Sequence, residues 1–299
     1  MRFLVIGAGA IGAYVAAHLA KEHEVLVGVR SRASAELFEE VEAVGETRAQ
    51  VRRVVASDPV QSVDGIIVAT KTGAMEKVAR TWAPWLKGNV IGIQNGLQDH
   101  FPSCIVAFPA TRLDAGRSKR TGPGGFYLPL DAPACFDALR LAGPVKRVAN
   151  MDGIRWTKLL INACATSLGA LTGHNLSYLM ADRRARDAFL AITREGYAVG
   201  LAEGVTFESM HGFHPKRFVS GPSFLHHALL RVVGHKQRNH RSSSLQSLER
   251  GEATEIDALN GEIVRRGAKH GIPTPFNQRI LELDGQTPTM KHLDELLAA

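Results

Sequence analysis

The stretch Phe3-Leu4-Val5-Ile6-Gly7-Ala8-Gly9-Ala10-Ile11-Gly12 opens the chain with an apolar run that breaks into three spaced glycines. An Ala-rich segment with helical periodicity follows over residues 10–21, and a second apolar run over residues 24–29. The order strand, glycine turn, helix, strand is typical of a dinucleotide-binding unit, in which the glycines permit a tight turn, close approach of a pyrophosphate and close helix packing. We predict a dinucleotide site with its phosphates at the helix N-terminus, the alternative being a glycine-rich turn without a ligand. The residues of this predicted site are Gly7, Ala8, Gly9, Ala10, Ile11 and Gly12.

The residues after the second apolar run, Arg30, Ser31 and Arg32, bear on which dinucleotide is bound. Enzymes that use NAD place Asp or Glu here to bind the ribose 2′-hydroxyl, whereas the 2′-phosphate of NADP requires a cation. The guanidinium fork of arginine suits a phosphate better than the ammonium of lysine does. We therefore expect Arg30 to bind the 2′-phosphate and the cofactor to be NADPH. The alternative is that Arg30 and Arg32 are hydrated loop charges.

The composition is that of a cytoplasmic globular protein. A chain of 299 residues, 45% of them hydrophobic, is long enough for two domains with separate cores. The first apolar run is too short for a signal peptide or a membrane span. The 3 cysteines have no metal-site spacing, so we expect reduced thiols and no metal. The net charge of +7 is spread along the chain, which favours a small anionic partner over nucleic acid or a membrane.

Residues 211–241 concentrate histidine and basic side chains and contain no carboxylate or cysteine that would complete a metal site. We interpret this segment as a hydrated loop or helix face, and residues 211–244 as the one long irregular stretch of the chain. Its charge would help to attract an anionic substrate.

The first half of the chain alternates short apolar runs with helical periodicity, as a parallel sheet flanked by helices requires. The elements predicted there after the first unit span residues 51–56, 65–70, 74–86, 90–93, 104–109, 124–128 and 132–142. From Gly153 onward the periodicity is helical. We predict an α/β protein with an N-terminal Rossmann-type doubly wound sheet that binds NADPH in residues 1–150. An all-α C-terminal domain in residues 151–299 would hold the substrate and the catalytic groups.

Two polar residues, Lys71 and Asn95, each follow a buried apolar run of this sheet. Ligands of open α/β sheets bind beyond the carboxyl ends of the strands, so both residues are expected on the cofactor's side. Asn95-Gly96 is also a common turn dipeptide, and a turn is the alternative for it.

The long helix predicted from Gly153 toward Leu171 carries Lys158, Asn162 and Thr166 four residues apart, hence on one face. A polar stripe on an otherwise apolar helix either faces water or lines a cleft, and the apolar flanks favour a cleft. An ammonium group in such a cleft is partly desolvated, which lowers its pKa and suits it to donate a proton.

The chain resembles the ketopantoate reductase (2-dehydropantoate 2-reductase) family over nearly its whole length. Besides the fingerprint, Arg30, Lys71 and Asn95-Gly96, two more specific motifs carry the resemblance: Trp156-Thr157-Lys158-Leu159-Leu160-Ile161-Asn162 and Thr254-Glu255-Ile256-Asp257-Ala258-Leu259-Asn260-Gly261. It implies NADPH-dependent reduction of a 2-oxo acid, in the family's named case 2-dehydropantoate to pantoate in pantothenate biosynthesis.

The resemblance also implies site roles. Lys158 would protonate the carbonyl oxygen, with Asn162 and Glu255 in the same catalytic network. The implied substrate-binding residues are Asn95, Asn162, Thr166 and Ser243, the serine contacting the carboxylate, with Ser242 and Ser244 as rivals. The implied cofactor-binding residues beyond the fingerprint are Arg30, Lys71, Asn95 and Glu255, in a cleft between the domains. A helix dipole alone would also favour an acid at Glu255, and Ser243 would also serve to cap a short helix.

Two departures from the family pattern leave the substrate open. Where the family usually has a second asparagine, four residues after Asn162, this chain has Thr166. A further family asparagine in the loop after this helix is matched only by Asn175, and only if the alignment shifts by one residue. A paralogue acting on another 2-oxo acid is therefore an alternative. An NAD-dependent β-hydroxyacid dehydrogenase would require an acid at position 30. A non-enzymatic NADPH sensor would retain Arg30 but has no need of Lys158. The chain is expected to be a monomer or a homodimer.

Overall fold

The computed structural model describes residues 1–236, 245, 247–248 and 250–298, which form two compact units. Unit one consists of Met1–Gln94 and Gln98–Met151, and unit two of Asn95–Leu97 with the residues from Asp152 onward. Each unit has its own buried hydrophobic core.

The strands found among the described residues belong to unit one. They are β1 (Arg2–Ile6), β2 (Glu24–Gly28), β3 (Glu40–Ala43), β4 (Thr47–Gln50), β5 (Arg52–Val54), β6 (Gly65–Val68), β7 (Val90–Gly92), β8 (Ile105–Val106), β9 (Ala110–Asp114), β10 (Arg117–Arg120), β11 (Phe126–Pro129) and β12 (Val145–Val148). The α-helices of this unit are α1 (Ala10–Leu19), α2 (Arg32–Glu36) and α3 (Met75–Thr81), and 3₁₀ segments span Thr72–Ala74 and Ala134–Leu141.

A parallel sheet of order β5-β2-β1-β6-β7 is the framework of unit one. Successive side chains of a strand face opposite sides of a sheet. Phe3 and Val5 accordingly lie in the hydrophobic cluster that includes α1, whereas Leu4 and Ile6 lie with Met75 in the cluster that includes α3. Helices therefore cover both faces of the sheet, and the predicted α/β class with a Rossmann-type sheet is confirmed.

Some predicted elements of unit one differ from the observed ones. The helix predicted over residues 74–86 is the short α3, because Pro84 lacks an N–H and disfavours helical backbone before it. The helix predicted over residues 132–142 is the 3₁₀ segment Ala134–Leu141. The sequence interpretation also missed a second sheet, of order β4-β3-β10-β9. The alternation of partly exposed glutamates with buried Val41 and Ala43 in β3 is the signal that could have revealed it.

Among the residues described, the regular elements of unit two are helices joined by loops. Its helices are α4 (Met151–Thr172), α5 (Leu176–Ala181), α6 (Arg183–Ala202), α7 (Lys216–Val219), α8 (Ser223–Lys236), α9 (Glu262–Lys269), α10 (Pro275–Leu283) and α11 (Lys291–Leu297), with a π-helical segment, Asp257–Gly261, directly before α9. Helix α4 is the longest at 22 residues. In the described part of the chain, no helix is long and apolar enough to cross a lipid bilayer.

The prediction of an irregular stretch over residues 211–244 was wrong for the part that the structure describes, because α7 and α8 form there. Helix α8 buries His226, Leu230 and Gly234, which are spaced by four residues on one narrow face. Exposed apolar residues such as Phe224 obscure this periodicity in the sequence.

Candidate functional site

The glycine fingerprint forms a tight turn between β1 and α1. Gly7 has a φ of +104°, a conformation that side chains disfavour, and its N–H donates to Gly28 O at 2.8 Å. A Cβ on Gly12 would lie 1.8 Å from Gly7 O, so only glycine lets the helix pack this closely. Gly9 is the N-cap of α1, and apart from its two chain neighbours no described residue has an atom within 4 Å of where its Cβ would be. The turn therefore leaves open space beside the unpaired N–H groups at the start of α1.

Arg30 and Arg32, which follow β2, have different surroundings. Ser31 caps α2 by accepting a hydrogen bond from Ser34 N at 3.2 Å. Arg32 is ion-paired with Asp58. Arg30 is exposed and takes no part in an ion pair within the described ranges, so its guanidinium is available to a ligand.

Lys71 lies beyond the end of β6, beside the fingerprint. It occupies the N-cap position of the 3₁₀ segment Thr72–Ala74 and is exposed. A Cβ on Gly7 would lie 3.1 Å from the backbone of Ala69, which places the end of β6 directly against the glycine turn. The expected position of Lys71 at the carboxyl edge of the sheet agrees with this arrangement.

In unit two, three of the residues singled out in the sequence are joined by hydrogen bonds. Asn162 Nδ2 donates to Asn95 Oδ1 at 3.3 Å, and Asn95 Nδ2 donates to Glu255 Oε2 at 3.1 Å. Gly96 has a φ of +78°, so Asn95-Gly96 is indeed a turn. The turn directs the Asn95 amide onto Asn162 and Glu255, and the turn and site interpretations of this dipeptide are compatible.

Lys158, Asn162 and Thr166 occupy successive turns of α4, as their spacing predicts. Lys158 and Asn162 are partly buried, and Thr166 is only 5% exposed. The polar stripe is thus almost fully buried only at Thr166. An ammonium group stands one turn before the amide that begins the hydrogen-bonded chain Asn162–Asn95–Glu255.

These features match a known family in both parts of the chain. A family model described as "Ketopantoate reductase PanE/ApbA" matches residues 3–130, and one described as "Ketopantoate reductase PanE/ApbA C terminal" matches residues 150–286. The 2-dehydropantoate 2-reductase of Caulobacter vibrioides is 31% identical over 302 residues, covering 93% of this chain and 96% of that protein. The chain belongs to the ketopantoate reductase family. It is therefore an oxidoreductase.

Other members of the ketopantoate reductase family match along a similar length. The 2-dehydropantoate 2-reductase of Archaeoglobus fulgidus is 25% identical, over 94% of this chain and 96% of that protein. The crystal structure of a PanE/ApbA family ketopantoate reductase from Ralstonia eutropha JMP134 superposes with a TM-score of 0.77 at 25% identity, covering 99% of this chain and 100% of that one. D-Mandelate dehydrogenase with NADH and anilino(oxo)acetate has a TM-score of 0.78 over 99% and 100% of the two chains. At 21% identity, that likeness concerns the fold alone.

Two further residues were considered from the family resemblance, Ser243 and Asn175. Ser243, with Ser242 and Ser244, lies outside the described residues. Asn175, a near match to a further family asparagine, caps α5 by accepting from Tyr178 N at 2.9 Å.

The sequence interpretation missed a set of buried polar side chains in unit two that are hydrogen-bonded to one another. Asn260 and Asn277 are fully buried, and Asn277 Nδ2 donates to Glu195 Oε2 at 2.6 Å. Burial raises the pKa of Glu195, while hydrogen bonds from the Asn277 and Phe276 backbone and the Asn277 amide oppose the rise. Asn260 belongs to the quoted motif, but no local pattern links it to residues of other helices.

Proposed function

We propose that this protein is an NADPH-dependent 2-oxo acid reductase, with conversion of 2-dehydropantoate to pantoate as its reaction. The observation that carries the proposal is the hydrogen-bonded chain Asn162–Asn95–Glu255, one helical turn from the Lys158 ammonium. The relatives named 2-dehydropantoate 2-reductase, which match along more than nine-tenths of the chain, support it.

In this proposal the N-terminal domain, residues 1–150, binds NADPH. The glycine turn fits a dinucleotide, because the missing Cβ of Gly9 leaves room for a pyrophosphate beside the first N–H groups of α1. Arg30 would bind the 2′-phosphate with charge-assisted hydrogen bonds. Lys71, Asn95 and Glu255 would make further cofactor contacts. When bound, the reduced nicotinamide supplies the hydride.

The C-terminal domain, residues 151–299, would bind the substrate and supply the proton. Reduction of a ketone builds negative charge on its oxygen, and Lys158 would both stabilise that charge and donate a proton to the oxygen. Asn162 would orient the substrate by hydrogen bonding, and Glu255 would hold the Asn95 amide. Thr166 and Ser243 would contribute hydroxyl groups to substrate binding.

The test is a spectrophotometric screen of 2-oxo acids, in which loss of the nicotinamide absorbance is followed with NADPH and with NADH. We expect turnover of 2-dehydropantoate with NADPH. Lys158→Met should lower kcat by about 100-fold or more while leaving the Kd of NADPH nearly unchanged, because a general acid acts mainly in the transition state. Lys216→Met is the matched control, since Lys216 is an exposed lysine of unit two. Full activity of Lys158→Met would refute the assigned acid.

A second candidate is a reductase of the same mechanism that acts on another 2-oxo acid. The observation in its favour is Thr166, a buried hydroxyl where the family pattern has an amide with longer reach. Turnover of a different 2-oxo acid with 2-dehydropantoate inert would select this candidate. An NADPH sensor would instead bind the cofactor and reduce none of the acids.

A further inference from the structure

The fully buried Asn260 lies in the π-helical segment Asp257–Gly261, and its side-chain amide is wholly engaged by the protein. Its Oδ1 accepts a hydrogen bond from Ser167 Oγ. Its Nδ2 donates to Ala163 O at 3.2 Å and to Asn277 Oδ1 at 2.9 Å. Ala163 and Ser167 are one turn apart on α4, so the Asn260 side chain binds the π-helical segment to two successive turns of that helix.

The hydrogen-bonded chain continues through Asn277 of α10 to Glu195 of α6. Glu195 of α6 accepts from Phe276 N at 2.8 Å, from Asn277 N at 3.0 Å and from Asn277 Nδ2 at 2.6 Å. The Glu195 carboxylate thereby satisfies N–H groups in the first turn of α10. The π-helical segment is connected in this way to α4 on one side and to α6 and α10 on the other.

The same π-helical segment supports the proposed site. Glu255 stands two residues before it and accepts the hydrogen bond from Asn95. The loop at residues 95–97 rests on the segment, because a Cβ on Gly96 would lie 2.6 Å from Ala258 O. The position of the segment on α4 therefore determines where Glu255 and Asn95 lie relative to Asn162.

A π-helical turn holds one residue more than an α-helical turn and is rarely stable without support. Relaxation to α-helix would rotate the residues before Asn260, including Glu255, by about 100° relative to those after it. The hydrogen bonds of Asn260 oppose this relaxation, because losing them would deprive the buried Ser167 hydroxyl and Asn277 Oδ1 of their bonds to it.

We propose that Asn260 is a positioning residue. It keeps the segment Asp257–Gly261 in its π-helical register on α4, which holds Glu255 and Asn95 beside Asn162. The expected kinetic effect rests on the proposed reductase function, whereas the structural effect does not.

The test compares Asn260→Ala and the milder Ser167→Ala with Thr193→Val. The Thr193 hydroxyl is also fully buried and contacts Cys164 of α4, but its hydrogen-bond partners are Cys164 and Phe189 O, outside the π-helical segment. Hydrogen–deuterium exchange should become faster in residues 253–261 and 95–97 of Asn260→Ala, and to a smaller extent of Ser167→Ala. The same peptides of Thr193→Val should exchange as in the parent protein.

The kinetic part of the test uses NADPH and the 2-oxo acid that the screen identifies. We expect kcat of Asn260→Ala to fall by about 10- to 100-fold with the Kd of NADPH unchanged, as for a misplaced catalytic group. If Asn260→Ala does not fold, Ser167→Ala carries both measurements. An unchanged exchange rate in the two segments overturns the proposal. Faster exchange there, with kcat equal to that of the parent protein, overturns it too. If the parent protein reduces no 2-oxo acid, the proposed function fails, and the exchange data alone decide whether Asn260 maintains the register.

Discussion

Two arginines that lie two residues apart in the sequence differ in what they can bind. Arg32 is ion-paired with Asp58, whereas Arg30 is exposed and unpaired within the described ranges. We expect Arg30→Ala to raise the KM for NADPH by about 10- to 100-fold, the value of one or two hydrogen bonds to a charged group, and to leave the KM for NADH unchanged. Steady-state kinetics with both cofactors measure this.

Arg32→Ala is the matched control for that experiment. Its guanidinium is already held by a carboxylate, so the KM for NADPH should change little. An equal loss of NADPH affinity in both variants would show that the effect is one of general positive charge and not of a specific phosphate contact.

At the level of the β1–turn–α1 element, Gly9 and Gly12 are glycines for different reasons. Gly12 is required by the fold, since its Cβ would lie 1.8 Å from Gly7 O, whereas a Cβ on Gly9 would contact no described residue other than its chain neighbours. We expect Gly9→Ala to keep the thermal stability of the parent protein and to lose NADPH affinity, because the new methyl group would occupy the space assigned to the pyrophosphate.

The companion variant Gly12→Ala should lose both stability and cofactor binding. Thermal unfolding and a fluorescence titration with NADPH, carried out on both variants, separate the two effects. Undiminished NADPH binding by Gly9→Ala would contradict the assignment of the phosphate site.

For the molecule as a whole, acid sensitivity is expected to depend in part on Glu203, at the end of α6. Burial opposes its charged form, but hydrogen bonds from His270 and Arg266 and the positive charges of Arg266 and Lys269 outweigh burial and lower its pKa from 4.5 to about 2. The native protein therefore binds fewer protons here than the unfolded chain does between these two pH values. The stabilisation from Glu203 is complete above pH 4.5 and is lost as the pH falls toward 2.

Glu203→Gln should accordingly lower the free energy of unfolding by about 1 to 2 kcal/mol at neutral pH, after allowance for screening by water. The difference from the parent protein should shrink toward zero as the pH falls through the range in which Glu203 becomes protonated. Urea unfolding at a series of pH values measures it. Glu282→Gln is the control, because Glu282 forms an exposed pair with Arg279 and such pairs contribute little. A difference that stays constant with pH would rule out this linkage.

Local patterns predicted the parts of the fold in which neighbouring residues determine the structure. The observed β1, α1 and β2 end within two residues of the prediction, because apolar runs, glycines and helical periodicity are all read from adjacent positions. The strands β3 and β10 were missed since they are short and half-polar. They pair across a long separation, as Glu42 does with Arg117 at 2.6 Å.

The candidate site likewise has a part that local sequence patterns predict and a part that they do not. The spacing of Lys158, Asn162 and Thr166 was sufficient to place them on one face of a helix, because helical geometry is fixed by the backbone. The contact of Asn95 with Glu255 joins residues 160 positions apart, and the role of Asn260 depends on Ala163, 97 positions away. Periodicity carries no information about such pairs.

The order of residues was thus enough to establish the family, the glycine turn with Arg30 after it, and the polar stripe on α4, since each depends on a few consecutive residues or on one helical repeat. Chain folding was needed to bring Asn95 to Asn162 and Glu255, and to set the π-helical segment on α4 through Asn260. Buried hydrogen bonds between distant segments form only where packing excludes water and places donor opposite acceptor, so three-dimensional contacts, and not local propensity, select them.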